Sequence, residues 1–244
     1  MSEPIILFDL ASKQQRCWSL NPWKTRMLLN FKGLDYRTEW LEYPDIRHRL
    51  QPHVQPNPHN LNPNPYSIPT VRLPNGEYVM DSRAISERIE GLYPTPSARL
   101  DSLALSRLYD LIPRLVKAIQ PIYLLRVPQR VLNEASQEYW YRTRGQLVGM
   151  PVEEFAAKNP EKECWDRAEE VIKEVTALLK QGGDGPFFLG KEVSYADFVW
   201  GGLLIFLKRQ GEDGYQELLK RSGDGEAHER FLKALEPWTK RDSE

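Results

Sequence analysis

Two prolines in Tyr93-Pro94-Thr95-Pro96-Ser97 forbid a continuous helix and divide the chain where its pattern changes, from mixed strands and helices to helices alone. Before the break, Ile5 to Leu10 is an apolar, β-branched run suited to a buried strand. Asn21-Pro22 opens a helix with Asn as N-cap, Trp23, Met27, Leu28 and Phe31 form its apolar stripe, and Gly33 ends it. Leu34 to Leu41 supplies a second strand. Ile68 to Leu73 and Glu77 to Met80 form a hairpin around Pro74-Asn75-Gly76. Asp81-Ser82 then caps a helix with Ala84, Ile85, Ile89 and Leu92 facing inward. The order is βαβ followed by ββα. Between the halves, Gln51 to Tyr66 holds seven prolines and histidines among asparagines and is predicted to be a loop.

After the break the periodicity is helical. A long segment runs through Leu125, another spans Gln137 to Arg144, and a third runs from Trp165 to Gln181. Ser194-Tyr195-Ala196-Asp197 has capping-box spacing, and the nearly all-apolar run from Phe198 to Leu207 predicts a helix through the middle of this half.

Charge and cysteine content narrow the function. The 244 residues carry 33 Lys and Arg against 34 Asp and Glu with no basic run, which argues against nucleic acid as a partner. Cys17 and Cys164 are too few for a disulfide framework and too far apart for a metal or redox pair, so a reducing compartment fits. His48, His53 and His59 lack the Cys or carboxylate companions of a zinc site, and no metal is expected. The N-terminal run reads as a strand rather than a signal peptide, and no apolar stretch suffices to span a bilayer. A cytoplasmic protein without membrane partners is expected.

Four local patterns occur together: Ser19-Leu20-Asn21-Pro22-Trp23-Lys24-Thr25-Arg26, Ile68-Pro69, Asp81-Ser82 and Ser194-Tyr195-Ala196-Asp197-Phe198. In this order and spacing the chain resembles glutathione transferases over nearly its whole length. Trp23-Lys24-Thr25-Arg26, Gly33, Trp40 and Tyr43-Pro44-Asp45-Ile46 are similar to the fungal etherase-related glutathione transferases and the bacterial β-etherases. The resemblance implies an α/β plus all-α fold. A thioredoxin-like βαβ-ββα domain over residues 1–93 would bind glutathione, residues 94–99 would link, and an all-helical domain over 100–244 would contribute the hydrophobic-substrate site. It also implies a homodimer.

The chemistry expected of such a site is activation of a thiol. A free thiol titrates at about 8.5, so a neutral solution holds little thiolate unless a donor and a favourable potential stabilise it. Ser19, just before the first helix, is the expected sulfur-stabilising and catalytic residue, with Cys17 second as a mixed-disulfide former. Ser82 and the helix it opens would hold the γ-glutamyl carboxylate, and Asp81 the ammonium. By the resemblance, Ile68 before a cis Pro69 would face the cysteinyl part. His53, Gln55, His59 and Asn64 are the donors available to the glycyl carboxylate. Trp18, Leu20 and Tyr123, the last on a helix that also carries Arg114, Lys117 and Arg126, would line a site for a small hydrophobic electrophile. Tyr139-Trp140-Tyr141 is read mainly as core.

Each residue also has a plainer role: Ser19 as a loop cap, Asp81-Ser82 as an N-cap, Pro69 as the opening of an edge strand. Three functions follow from the resemblance. The first is a glutathione transferase acting on an electrophile, in a setting such as fungal secondary metabolism. The second is a glutathione-dependent cis–trans isomerase of a conjugated alkene, and the third a non-catalytic ligand-binding or regulatory protein on the same fold.

Overall fold

Parallel pairing of the first two strands requires a crossover, and a helix supplies it. In the computed structural model, which describes residues 3–58 and 64–243, β1 (Ile5–Leu10) runs parallel to β2 (Tyr36–Leu41) through α1 (Leu20–Phe31). After α2 (Asp45–Leu50), β3 (Thr70–Arg72) and β4 (Tyr78–Met80) pair antiparallel. With β3 also antiparallel to β1, the sheet order is β2-β1-β3-β4. The hairpin closes with Gly76 N–H donating to Leu73 O (2.9 Å) and Gly76 at φ +86°, a conformation natural to glycine. Next comes α3 (Ser82–Leu92).

The helical half comprises α4 (Leu103–Ala118), α5 (Gln120–Arg130), α6 (Glu134–Val148), α7 (Val152–Ala157), α8 (Glu161–Lys180), α9 (Tyr195–Gln210), α10 (Glu212–Arg221), α11 (Gly225–Ala234) and α12 (Glu236–Thr239). A thioredoxin-like sheet domain followed by a helical domain is the fold expected from sequence.

Five local expectations change. The first helix begins one position before Asn21, at Leu20, with Ser19 in extended conformation (φ −82°, ψ 140°) as N-cap. Pro22 is tolerated there because first-turn N–H groups need no intrahelical acceptor. At its other end Gly33 (φ +64°) closes α1 in a Schellman arrangement, its N–H donating to Asn30 O and that of Leu34 to Leu29 O. The inward face of α3 is Ser82, Ile85, Ser86 and Ile89, one helical stripe, which turns Ala84 and Leu92 to solvent. The long segment through Leu125 splits at Ile119, because Pro121 has no N–H to continue the α4 ladder. The second strand begins only at Tyr36, and β3 is confined to three residues after Pro69.

The core centres on α9, whose residues Tyr195 to Leu207 are all buried. It packs against α1, which is in turn pressed on the sheet, so even Lys24, Thr25 and Arg26 lose their solvent. The expected capping box is present. Asp197 accepts from the Ser194 N–H (2.7 Å) and hydroxyl (2.8 Å), and its other oxygen accepts from the Phe188 N–H (2.9 Å).

Deeper in the helical half, Trp200 Nε1 donates to His228 Nδ1 (3.1 Å). The ring therefore carries its proton on Nε2 and donates to Thr176 Oγ1 (2.9 Å), whose hydroxyl donates to Ile172 O (2.9 Å). Burial pushes the His228 pKa down from 6.5 to about 4. The unfolded chain takes up a proton that the folded one refuses, so this residue's contribution to stability is lost as pH falls from 6.5 toward 4. Relative to His228→Gln, the wild-type protein is expected to lose about 3 kcal/mol more across that window. Urea midpoints collected over a pH series check this, and parallel profiles for the two proteins would refute it.

Candidate active site

Ser19 sits where two adjoining cavities meet. The larger, about 700 Å³, opens between the start of α1 and helices α4 to α6, with Trp18, Leu20, Tyr123, Leu124, Trp140 and Phe206 on its wall. The smaller, about 300 Å³, runs under Tyr66, Ser67 and Ile68 toward Leu10 of β1. Ser19, Asn21, Tyr43, Asn64, Tyr139 and Arg144 belong to both.

The chain turns from extended to helical at Ser19, whose carbonyl accepts the Trp23 N–H (3.2 Å) while its hydroxyl makes no capping bond. The hydroxyl is therefore available as a donor at a helix N-terminus, where the backbone potential is positive. Two residues on, the Asn21 side chain is oriented from behind, because the buried Lys24 Nζ donates to its Oδ1 (2.8 Å). That leaves the Asn21 amide N–H groups as donors on the cavity wall. Burial lowers the Lys24 pKa to about 8, opposed by the negative charge of Asp81. Lys24 thus lies in the field of Asp81 while holding Asn21 beside Ser19.

Cys17 is placed differently. It is fully buried beside Asp9 and Arg26, and burial, reinforced by the Asp9 charge, pushes its pKa well above 9.0. A thiol so protected is neither nucleophile nor disulfide former.

The Ile68–Pro69 bond is cis, and Ile68 lies on the wall of the smaller cavity. Pro69 O accepts the Asp81 N–H (3.1 Å), which ties the cis turn to the start of α3. There Asp81 adopts φ +83°, and its Oδ1 caps the helix by accepting from the N–H groups of Arg83 (2.8 Å) and Ala84 (3.2 Å). Ser82 is buried, and its carbonyl accepts from the Tyr195 hydroxyl (2.9 Å). Pro69, Asp81 and Ser82 are not among the residues lining the two cavities, and Asp81 is exposed to solvent.

The loop donors divide. Asn64 lies on both walls, whereas His53 is exposed and stacked face to face on Tyr78 (centroids 4.3 Å apart, planes at 4°), and Gln55 is exposed; neither of these lines the cavities. His59 lies outside the described residues. Among the described residues no group of three or more His, Cys, Asp or Glu could hold a metal ion, and no helix is long and apolar enough to cross a membrane.

Trp18, Leu20 and Tyr123 all line the larger cavity. Trp18 stacks on Phe206 (6.2 Å), and Tyr123 meets the same ring edge-on (5.7 Å). Arg114 and Arg126 point elsewhere, paired with Glu174 and with Glu161 and Asp213, and Lys117 lines a separate cleft. Tyr139 and Trp140, read mainly as core, are wall residues, although Trp140 also anchors α6 by donating to Leu124 O (2.9 Å). Sequence reasoning did not name Tyr43, Arg144 or Phe206 as site residues, although Tyr43 stands in one of the family patterns. The β2–α2 link holds Tyr43 through its N–H to Ser136 Oγ (2.9 Å). Burial lifts both Tyr43 and Tyr123 to about 12, so each phenol keeps its proton at neutral pH.

Comparison with known proteins bears on the family and the fold. The family profile "Glutathione S-transferase, N-terminal domain" matches residues 18–92, and "Glutathione S-transferase, C-terminal domain" matches residues 104–238. The chain is 29% identical to the glutathione S-transferase-like protein ustS of Aspergillus flavus, over 91% of this chain and 87% of that one. It is similar in structure to a glutathione S-transferase of Ceriporiopsis subvermispora solved in complex with glutathione, with a TM-score of 0.84, 29% identity, and 97% and 98% of the two chains covered. The glutathione transferase GSTFuA2 of Phanerochaete chrysosporium gives a TM-score of 0.84 at 26% identity, with 97% and 98% covered. A sheet domain with a cis-proline turn followed by a helical domain, matched by the N-terminal and C-terminal domain profiles in turn, makes this chain a member of the glutathione S-transferase family.

Proposed function

We propose that the protein binds glutathione along the smaller cavity with its sulfur at Ser19 and transfers it to a hydrophobic electrophile in the larger one. The observation that carries this reading is the Ser19 hydroxyl, uncommitted to capping and located where the two cavities meet. The cysteinyl backbone lies against Ile68, and the γ-glutamyl end reaches toward Asp81 and Ser82. Asp81 supports that direction, because a non-glycine residue at positive φ is costly and such outliers gather at ligand sites.

In this reaction the thiol proton leaves to solvent, Ser19 and Asn21 donate to the thiolate, and sulfur forms a bond to carbon as the leaving group departs or the alkene takes up a proton. The tyrosines, protonated at neutral pH, serve as donors and walls rather than bases. Trp18, Leu20, Tyr123 and Phe206 supply the apolar surface for the acceptor.

Ser19→Ala is expected to raise the thiol pKa of bound glutathione by about one unit or more, since a charge-assisted hydrogen bond is worth about 1.5 to 3 kcal/mol. kcat/KM with an activated aryl chloride should fall about 10- to 100-fold. Thiolate absorbance titrated on the enzyme reads the first quantity and initial rates the second. Should both stay at wild-type values while Asn21→Ala moves them, the sulfur belongs to Asn21 and the role given to Ser19 is wrong.

A further inference from the structure

The wall shared by the two cavities carries one charge, and no carboxylate among the described residues pairs with it. Arg144, on α6, lines both cavities, and among the described wall residues no other side chain is charged. Its Nη1 donates to its neighbour Thr143 Oγ1 (2.9 Å). The guanidinium packs over the rings of Trp140 (4.3 Å) and Tyr43 (5.0 Å). No ion pair joins it to a carboxylate among the described residues, although most arginines of this protein have one, such as Arg49 with Glu39, Arg88 with Glu77 and Arg221 with Asp166, Glu169 and Glu217. The two phenols in its field, Tyr43 and Tyr123, do not become its counter-anions, because burial holds their protons in place.

A half-buried, uncompensated cation is costly unless a ligand brings the opposite charge. The form of this one is also specific. Aromatic packing engages the guanidinium faces, and Thr143 restrains one nitrogen, so the fork of remaining N–H donors is oriented before a ligand arrives. A planar, bidentate acceptor fits that fork, and a carboxylate has that shape. The other residues lining the larger cavity are uncharged, aromatic and aliphatic side chains together with the polar Ser19, Asn21, Asn64, Gln120, Thr143 and Gln146, so a neutral electrophile would leave the cation without an anionic partner.

We propose that Arg144 is the carboxylate receptor of this site, holding either an acidic group on the electrophile or the glycyl carboxylate of glutathione. The inference rests on the reading of the cavity as a glutathione site. In that reading the γ-glutamyl carboxylate lies toward Ser82, which leaves these two sources for the carboxylate at α6.

The test uses the intact protein, Arg144→Met, which keeps an unbranched side chain over Trp140 and Tyr43, and Arg144→Lys, which keeps the charge. Thermal unfolding midpoints establish that the variants fold. One arm compares benzoylacrylic acid with its methyl ester as acceptor. The other compares glutathione with its glycyl ethyl ester, using the methyl ester acceptor, and all rates are scaled to the uncatalysed reactions. In one of the arms wild-type kcat/KM is expected to favour the free acid by about 10- to 100-fold, the usual range for a charge-assisted hydrogen bond. Arg144→Met should abolish that preference and Arg144→Lys restore part of it, and the responding arm identifies the source. A preference absent from both arms in the wild-type protein, or undiminished in Arg144→Met, overturns the proposal. So does a variant whose only change is a raised thiol pKa of bound glutathione, since Arg144 would then act on sulfur. Calorimetric titration with glutathione separates the two failures. If the wild-type protein does not bind it, the reading of the site falls and this inference with it; if it binds and neither arm responds, only the role of Arg144 falls.

Discussion

Arg26→Met is expected to lower stability by about 3 to 5 kcal/mol, because it strands a buried carboxylate. Arg26 and Asp9 have no solvent-exposed side-chain surface and meet at 3.0 Å. Asp9 Oδ1 also accepts the Leu10 N–H (2.7 Å). Arg26 Nη2 donates to Thr38 Oγ1 (2.9 Å) as well, and the guanidinium lies over the rings of Tyr36 and Trp40. One cation therefore joins β1, α1 and β2, the three elements that place Ser19 beside the sheet. The pair need not be more stable than an apolar replacement, since desolvating two charges offsets much of their attraction. Removing one partner is the damaging change. Asp9→Leu combined with Arg26→Met should recover much of the loss, and urea unfolding of the two single variants and the double variant forms the cycle that measures it. Cys17 offers a second readout. Fully buried beside this pair, it should react with a thiol reagent only when the region opens, and faster in Arg26→Met than in the wild-type protein. Additive losses in the double variant would rule out the pairing as the source of the effect.

Arg26 also illustrates where sequence reading stops. The succession of strands and helices along the chain, the capping box and the Gly33 stop depend on neighbours within a few residues, and those signals were legible, whereas the cis state of Pro69 was expected from the family resemblance alone. The burial of Lys24, Thr25 and Arg26 depends on α1 being enclosed by the sheet on one side and α9 on the other, which no helical period reports. Asn21-Pro22 misled by a local ambiguity, because the same pair suits an N-cap and a cavity wall. The cap is Ser19, and Asn21 is instead held by Lys24.

The site follows the same division. Ser19, Ile68, Trp18, Leu20 and Tyr123 were legible because family spacing or aromatic content marks them, and all five lie on cavity walls. Phe206 was absorbed into an apolar helix, since periodicity does not distinguish a residue facing a core from one facing a cavity. Arg144 ends a predicted helical segment and resembles any solvated arginine until tertiary structure brings Tyr43 and Trp140 to it.

Asp197→Ala is expected to cost about 3 to 5 kcal/mol, since it removes a helix cap and leaves two buried N–H groups without acceptors. Those groups belong to Ser194 and Phe188, and both Ser194 and Asp197 are fully buried. The loss falls on α9, which supplies Phe206 to the cavity and packs against α1, so thiol activation should weaken together with stability. The pH dependence distinguishes the carboxylate from a mere space filler. Burial raises the Asp197 pKa from 3.8 to about 6, so the folded protein holds this proton more tightly than the unfolded chain. Stability from this residue is therefore present at low pH and lost as pH rises from 3.8 through 6, the reverse of His228 over an overlapping window. The two slopes oppose each other in the wild-type protein. Asp197→Asn, which keeps one acceptor oxygen and cannot ionise, should be less damaging than the alanine variant and should expose the histidine slope. Unfolding free energies of Asp197→Asn should thus decline more steeply on acidification below pH 6 than those of the wild-type protein. Equal slopes for the two would mean that Asp197 does not titrate in that range, and the cap would then act through hydrogen-bond geometry alone.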